Sequence, residues 1–337
     1  MSLGFVFGLN LILSAGFTYA IIRSERKLSW GIDSTHGVPR VGGLAIIVSV
    51  LLVSVLASDL PRDALTALVA GGVVAAVGLL DDLGCGRGPL LKLAVSLAVA
   101  AATVALTDVY VSHINTPVIS KLFDYRPLAI SVSILALAGM CHGVNLIDGL
   151  HGLALSFAVI AFGALSIIAF GVNEPKIALL ALSLLGACLG LMIFNFPSGS
   201  IFLGDVGSYF IGFTAAWIAI YLCHQHAEVS PWAMVCIFAY PIVDVGYSAA
   251  RRGLRGHNPM RGDKEHLHHR LLRLKGRLRP NYPRETAINT TLSCAILGFM
   301  PAAIAAINFD QPPVLIALSA TSIATLAVIN WIASFVT

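Results

Sequence analysis

Four short polar stretches have residue types and spacings suited to chemistry on phosphate. The first is Gly78-Leu79-Leu80-Asp81-Asp82-Leu83-Gly84, where two adjacent carboxylates end a long apolar run. Helix stability gives no reason for them, because a helix C-terminus carries partial negative charge and disfavours acids there by about a few tenths of a kcal/mol. A divalent cation or a proton acceptor's task would supply one; two solvated residues at a membrane edge are the plain alternative. The second is Asn145-Leu146-Ile147-Asp148-Gly149-Leu150-His151-Gly152-Leu153-Ala154. Asn145 and Asp148 are three apart and share a helix face, so two oxygen ligands can point the same way. Gly149 and Gly152 let the backbone turn and a ligand come close; a polar turn capped by Asn is the alternative.

The third stretch runs from Asn195 to Ser208 as NFPSGSIFLGDVGS, a small-residue loop with one carboxylate, Asp205, and no basic residue. Gly-rich turns expose successive backbone N–H groups to anions, and Mg²⁺ takes one or two carboxylates and completes its shell with phosphate oxygens and water. A diphosphate suits that pairing, and an ordinary tight loop is the alternative. The fourth is the basic loop 250–286, with Asp263-Lys264-Glu265-His266-Leu267-His268-His269-Arg270 at its centre. Leu267, Leu271, Leu274 and Leu278 recur at helical spacing beside Arg270, Arg273, Lys275 and Arg277, the pattern of a helix lying on an anionic membrane surface. On that helix His266 and His269 share a face and His268 turns away, unless the segment starts extended. The imidazoles suit an anionic substrate better than zinc, since no H-E-x-x-H pattern or nearby Cys accompanies them; a solvated charged face is the plain alternative. In His36-Gly37-Val38-Pro39-Arg40, Arg40 reads equally as a phosphate contact or a membrane anchor. Asp244 reads as the internal ion-pair partner of Arg251 and Arg252.

The elements that must position these groups are membrane spans. Of 337 residues 57% are hydrophobic and only 11% charged, against about 25% charged in soluble chains. That excludes a soluble enzyme, a disordered chain and a disulfide scaffold, and unbroken apolar runs exclude an outer-membrane barrel. The expected fold is all-α and polytopic, a single membrane-embedded domain over 1–337. Spans of about 17 to 25 apolar residues fall near 3–22, 41–58, 64–80, 89–107, 128–147, 153–170, 176–194, 208–223, 231–249, 287–307 and 313–335. Eleven is the count, with ten its rival. The first run lacks a basic n-region and exceeds a signal peptide's apolar core, so it reads as a retained span. Six scattered cysteines form no C-x-x-C pair and read as small buried hydrophobes.

Odd-numbered connections hold 17 of the 21 Lys and Arg residues, which places them in the cytoplasm and the N-terminus outside. Lys92 is counted there, with the third connection. Every reactive stretch then lies on the cytoplasmic face, whereas a transporter places ionisable groups near the bilayer midplane.

In this order and on one face, the four motifs resemble the polyprenyl-phosphate N-acetylhexosamine-1-phosphate transferases, a family that includes the phospho-MurNAc-pentapeptide translocase. The match spans about 30 to 285. The resemblance implies a Mg²⁺-dependent enzyme, with Mn²⁺ able to substitute. It transfers HexNAc-1-phosphate from a UDP-HexNAc to undecaprenyl phosphate and releases UMP, as the first membrane step of a surface polysaccharide such as lipopolysaccharide O-antigen. Asp205 is then the metal ligand with Asn145 as helper, and Asp148 lies close to metal or diphosphate. Asp81 and Asp82 position or deprotonate the acceptor phosphate. His266, His268, His269, His36 and Arg40 contact the donor sugar or diphosphate. His-Leu-His-His resembles the branch using UDP-GlcNAc or a modified UDP-HexNAc. His151 departs from the family, which commonly has an Asp there against the uracil. The bacterial inner membrane is the implied location, the bilayer, donor and acceptor are the partners, a homodimer is left open, and no nucleic acid is involved. The pentapeptide branch, a transporter and a silent scaffold are the alternatives.

Overall fold

The computed structural model describes residues 2–28, 37–57, 60–86, 88–254, 256, 265–278, 281 and 283–336; side chains at 25–28, 57, 117–118 and 335–336 are not described. His36 lies outside the described residues, as do Asp263 and Lys264.

The protein is an all-helical, polytopic membrane protein. Its helices are α1 (Leu3–Leu28), α2 (Gly43–Ala57), α3 (Arg62–Asp82), α4 (Pro89–Thr107), α5 (Pro117–Phe123), α6 (Arg126–Ile147) and α7 (Leu153–Gly171). There follow α8 (Pro175–Asn195), α9 (Gly204–Gln225), α10 (Pro231–Ile237), α11 (Ala239–Leu254), α12 (Leu267–Leu278), α13 (Pro283–Ile307) and α14 (Pro312–Val336). Among the described residues nine are long and apolar enough to cross a bilayer: α1, α3, α4, α6, α7, α8, α9, α13 and α14. Each falls on an expected span.

The other two expected spans differ. At 15 residues α2 extends about 22 Å, short of the roughly 30 Å hydrocarbon core. The expected span 231–249 is broken: α10 and α11 meet at 76°. Pro241 is the physical reason. Lacking an N–H, it cannot bond to the carbonyl of Ile237, and its ring clashes with that carbonyl in a continuous helix. The chain therefore stops at Ile237 and restarts at Ala239, which puts Pro241 in a first turn where no donor is needed.

At the centre stands α9, whose residues Gly204 to Cys223 are all buried. It packs against α2, α3, α6 and α7. Its start touches α2 so closely that a Cβ on Gly43 would collide with the backbone of Gly207, so the two helices approach at a distance only Gly permits. Helices α3, α6 and α8 end, and α4, α7 and α9 begin, on one face of the bundle. The opposite face is tied by bonds such as Trp232 Nε1 to Thr116 Oγ1 (3.0 Å) and Ser230 N to the Phe309 carbonyl (2.9 Å).

Candidate active site

The site is built where α3 ends beside the beginning of α9. The Asp82 side chain is 1% exposed, and its two oxygens accept from the backbone N–H groups of Asp205 (3.0 Å) and Val206 (2.9 Å). Acids at the end of α3 thus find their compensation in a neighbour: the N-terminus of α9 offers free amides and partial positive charge. The same bonds occupy two amides expected to cradle an anion, so this start of α9 is closed by the protein's own carboxylate. Gly204 has φ +79, and a Cβ there would strike the Arg40 carbonyl. Around it the chain before α2 is zipped to the loop before α9, with Phe202 N donating to the Pro39 carbonyl (2.8 Å) and Gly42 N to the Phe202 carbonyl (3.0 Å). Arg40 Nε is 3.8 Å from Asp82 Oδ1.

Asp81 faces the other way and keeps 35% of its side chain exposed. Its Oδ2 accepts from Lys92 Nζ at 2.8 Å, and the same ammonium donates to Asp205 Oδ2 at 2.9 Å. The second oxygen of Asp205 accepts from Asn145 Nδ2 at 2.7 Å, while Asn145 also donates to Ser208 Oγ at 3.1 Å. Beneath this cluster Lys92 lies 5.9 Å from the centre of the Tyr209 ring. Tyr209 Oη is 3.5 Å from His142 Nδ1, and His142 Nε2 is 3.1 Å from Ser96 Oγ. The polar groups form a connected column descending from the helix ends.

Asp148 follows directly on α6 and is half-buried. Desolvation, then the charges of Asp205 and Asp82, hold its carboxyl well above the ordinary carboxylate range. The turn after it is stapled by Asn195, whose Oδ1 accepts from Gly152 N (2.6 Å) and whose Nδ2 donates to the Ile201 carbonyl (2.7 Å). His151 stacks on Phe202 with ring centres 4.9 Å apart, and its carbonyl accepts from Thr291 Oγ1 at 3.1 Å.

The histidine segment closes over Gly149. A Cβ on Gly149 would collide with His268 Nε2 and come within 3.1 Å of His269 Nε2. His266 forms a bend just before α12, and all three rings meet: His268 stacks parallel to His266 with centres 5.9 Å apart and lies 4.2 Å from His269. His268 is therefore enclosed rather than turned away. Burial, then the neighbouring His269, push its pKa down to about 3. Asp244 corrects a second expectation. Its carboxylate accepts from His266 Nδ1 (2.8 Å) and Leu267 N (2.8 Å), because α11 runs under the start of α12, while Arg251 pairs with Glu265 at 3.2 Å. Nor does α12 simply lie on a surface: Leu267, His268 and Arg270 are buried, with Arg270 donating to the Asn330 carbonyl (3.0 Å) and to Glu265 (3.1 Å).

Asp81, Asp82, Asn145, Asp148, Asp205 and Arg40 are thus brought together, and His266, His268 and His269 adjoin them through Gly149. His151 lies beside them against Phe202. Lys92 is the residue sequence reasoning missed. Its signal was present: a lone ammonium in the first turn of an apolar helix needs an anionic partner. Among the described residues no group of three or more His, Cys, Asp or Glu is arranged to hold a metal ion. An all-protein cage is therefore not what this site offers. Two carboxylates converging on one cationic position, with an amide beside them, suit Mg²⁺, which keeps water and phosphate in its shell.

The pattern of Glycosyl transferase family 4 matches residues 64–223. A Bacillus subtilis protein named as a probable undecaprenyl-phosphate N-acetylglucosaminyl 1-phosphate transferase is 30% identical over 69% of this chain and 65% of its own length. A Mycobacterium leprae decaprenyl-phosphate N-acetylglucosaminephosphotransferase is 30% identical over 70% of this chain and 67% of its own. A Halalkalibacterium halodurans phospho-N-acetylmuramoyl-pentapeptide-transferase is 33% identical over a shorter 55% of the chain and 61% of its own length. The chain spans about two thirds of the length of such relatives. The matched span 64–223 contains Asp81, Asp82 and Asp205, which meet at the α3–α9 junction, and the chain belongs to Glycosyl transferase family 4.

Proposed function

We propose that the protein transfers HexNAc-1-phosphate, from UDP-GlcNAc or a modified UDP-HexNAc, to undecaprenyl phosphate on the cytoplasmic face of a bacterial inner membrane. The observation that carries this reading is the convergence of Asp81 and Asp205 on one cationic position at the membrane-boundary end of buried helices. There, a soluble diphosphate can meet a lipid phosphate. In the reaction an acceptor phosphate oxygen attacks the sugar-bearing phosphorus of the donor. The bond from that phosphorus to the bridging oxygen breaks, and UMP leaves with the bond's electron pair. Such transfer depends chiefly on in-line positioning and charge neutralisation.

Asp205 would hold Mg²⁺, or Mn²⁺ in its place, with Asn145, bonded to it through Nδ2, as helper. When bound, the cation supplies charge neutralisation on the diphosphate. The chain's own residues do the rest. Asp81, the accessible member of its pair, orients the acceptor phosphate and takes its proton if one remains. Asp82 orients the start of α9 and hence Asp205. Lys92 offsets negative charge, and Asp148 borders the diphosphate. His266, His268, His269 and Arg40 contact the donor. An apolar cavity of about 470 Å³ between α6, α9 and the bent α10–α11 pair, lined by Met140, Gly143, Ala216, Phe238 and Pro241, suits an isoprenoid chain. It lies two residues along α6 from Asn145.

The test is Mg²⁺-dependent UMP release by the purified protein with undecaprenyl phosphate and a panel of UDP-sugars. Release with one UDP-HexNAc supports the reading. Release only with UDP-MurNAc-pentapeptide moves the protein to the branch of the Halalkalibacterium relative. No release from folded protein with any donor overturns the transferase reading.

A further inference from the structure

On the outer side of α12, away from the reacting groups, lies a second built feature. Lys275 is half-buried and clasps α13, its Nζ donating to the Asn289 carbonyl (3.0 Å) and to Ser293 Oγ (2.7 Å). An ammonium has three donors, so this geometry leaves one. Beside the clasp is a cleft of about 420 Å³ lined by Lys275, Leu278, Asn289, Leu292, Ser293 and Ile296. Leu292, Ile296, Phe299 and Met300 follow Asn289 at helical spacing, and all four are exposed. They form an apolar lane that starts at the polar cleft and continues along a helix apolar enough to cross the bilayer.

Charge on α12 is one-sided, while the first turn of α13 carries Arg284 and Glu285. Helix α12, LHHRLLRLKGRL, contains three arginines and a lysine and no acid. The acid just before it, Glu265, is engaged by Arg251, Arg270 and Arg273, and lies at the end of α12 remote from Lys275. A cationic, hydrogen-bonding head above an apolar lane is complementary to a lipid with an anionic phosphate, and basic side chains near an anionic surface each contribute about 1 kcal/mol of attraction.

We infer that the α12–α13 cleft binds an anionic phospholipid of the surrounding leaflet, its phosphate on Lys275 and one acyl chain along Leu292 and Ile296. Because α12 carries His268 and His269 at its other end, the bound lipid steadies the helix that presents the histidines. The inference rests on none of the transfer chemistry, and its test reads no turnover.

Purified full-length protein is stripped of lipid in detergent, then given phosphatidylglycerol or phosphatidylcholine of identical chains. Bound lipid is counted by native mass spectrometry, and the thermal midpoint is followed. Phosphatidylglycerol is expected to remain bound and raise the midpoint where phosphatidylcholine does not. Lys275→Gln should cut its retention about fivefold, the loss expected for one lysine at an anionic surface, while Lys275→Arg keeps most of it. Ile296→Trp, which blocks the lane and leaves the ammonium intact, should also reduce retention. Equal response to both lipids, or unchanged retention in Lys275→Gln and Ile296→Trp, overturns the inference. Displacement of phosphatidylglycerol by one equivalent of undecaprenyl phosphate also overturns it, since the cleft would then belong to the acceptor.

Discussion

The Asp82 carboxylate holds the backbone N–H of Asp205 at 3.0 Å, so the residue that ends one helix sets the start of another. Asp81, its neighbour in sequence, is left to face Lys92. The pair therefore divides into a structural member and an accessible one, and substitutions should separate them. Asp82→Ala is expected to lower the melting temperature, losing a helix cap worth about 0.5–2 kcal/mol, and to reduce turnover with it. Asp81→Asn is expected to leave the melting temperature nearly unchanged and reduce kcat by about two orders of magnitude, in the range of a lost acid–base group. Melting curves and kcat on the same preparations check both; a stable Asp82→Ala protein would remove the capping role.

Asp205→Asn should abolish Mg²⁺-dependent UMP release while the amount of membrane-inserted protein stays constant, since the amide keeps the shape and loses the charge. Retained turnover would remove Asp205 from metal binding.

Lys92→Met leaves two converging carboxylates without their ammonium. Breaking one partner of a fully buried ion pair costs about 3–5 kcal/mol, and the loss here is smaller because Lys92 and Asp81 keep part of their side chains exposed. The variant is expected to melt lower than the parent, and added Mn²⁺, which supplies the missing positive charge, should recover much of the loss. A melt unaffected by Mn²⁺ would show that the cation does not bind between these groups.

His268 has a folded pKa of about 3 against an ordinary 6.5. The unfolded chain therefore binds the extra proton between those values, and stability must fall as pH drops through that window and level off above it. His268→Gln, which cannot take that proton, is expected to flatten part of the acid limb of a melting temperature versus pH curve between pH 6.5 and 4. An identical slope in both proteins would mean that the ring is solvated.

Asp244→Asn removes the charge that orients His266 and the start of α12. Hydrogen bonds to charged groups contribute about 1.5–3 kcal/mol, so KM for the nucleotide sugar should rise at least tenfold. The KM for undecaprenyl phosphate should stay within a factor of about two, because distant, independent sites change little. Equal rises in both would point to a general loosening.

Much of this was legible in the sequence for simple reasons. Apolar runs long enough to cross a bilayer declare themselves by length, and nine of the eleven expected spans are helices long and apolar enough to do so among the described residues. Asp81 and Asp82 stand out because they end an apolar run that gives them no reason to be there, and Asp205 because it is the one carboxylate of a small-residue loop. What was not legible depends on which helix neighbours which. Two adjacent carboxylates look equivalent until the N-terminus of α9 is seen beside Asp82. Lys92 is one basic residue among those of its connection until its helix is placed against Asp205. Asp244 was matched to the nearest basic residues along the chain, yet its partner, His266, arrives from a segment that doubles back 22 residues later. The bend at Pro241 had a visible cause, but proline also occurs inside α13, at Pro301, so its effect is decided by packing.

Bilayers vary in thickness, and helices meet that variation by tilting or by deforming the lipid around them. Strain of this kind enters through side chains that touch acyl chains, such as Leu106 on α4 or Ile296 on α13. The helix that carries Asp205 in its first turn has no such surface over nearly its whole length, since residues Gly204 to Cys223 are all buried. Asp205 is therefore mounted on a post insulated from the membrane, and its position should hold while the outer ring of helices adapts to whatever lipid surrounds it.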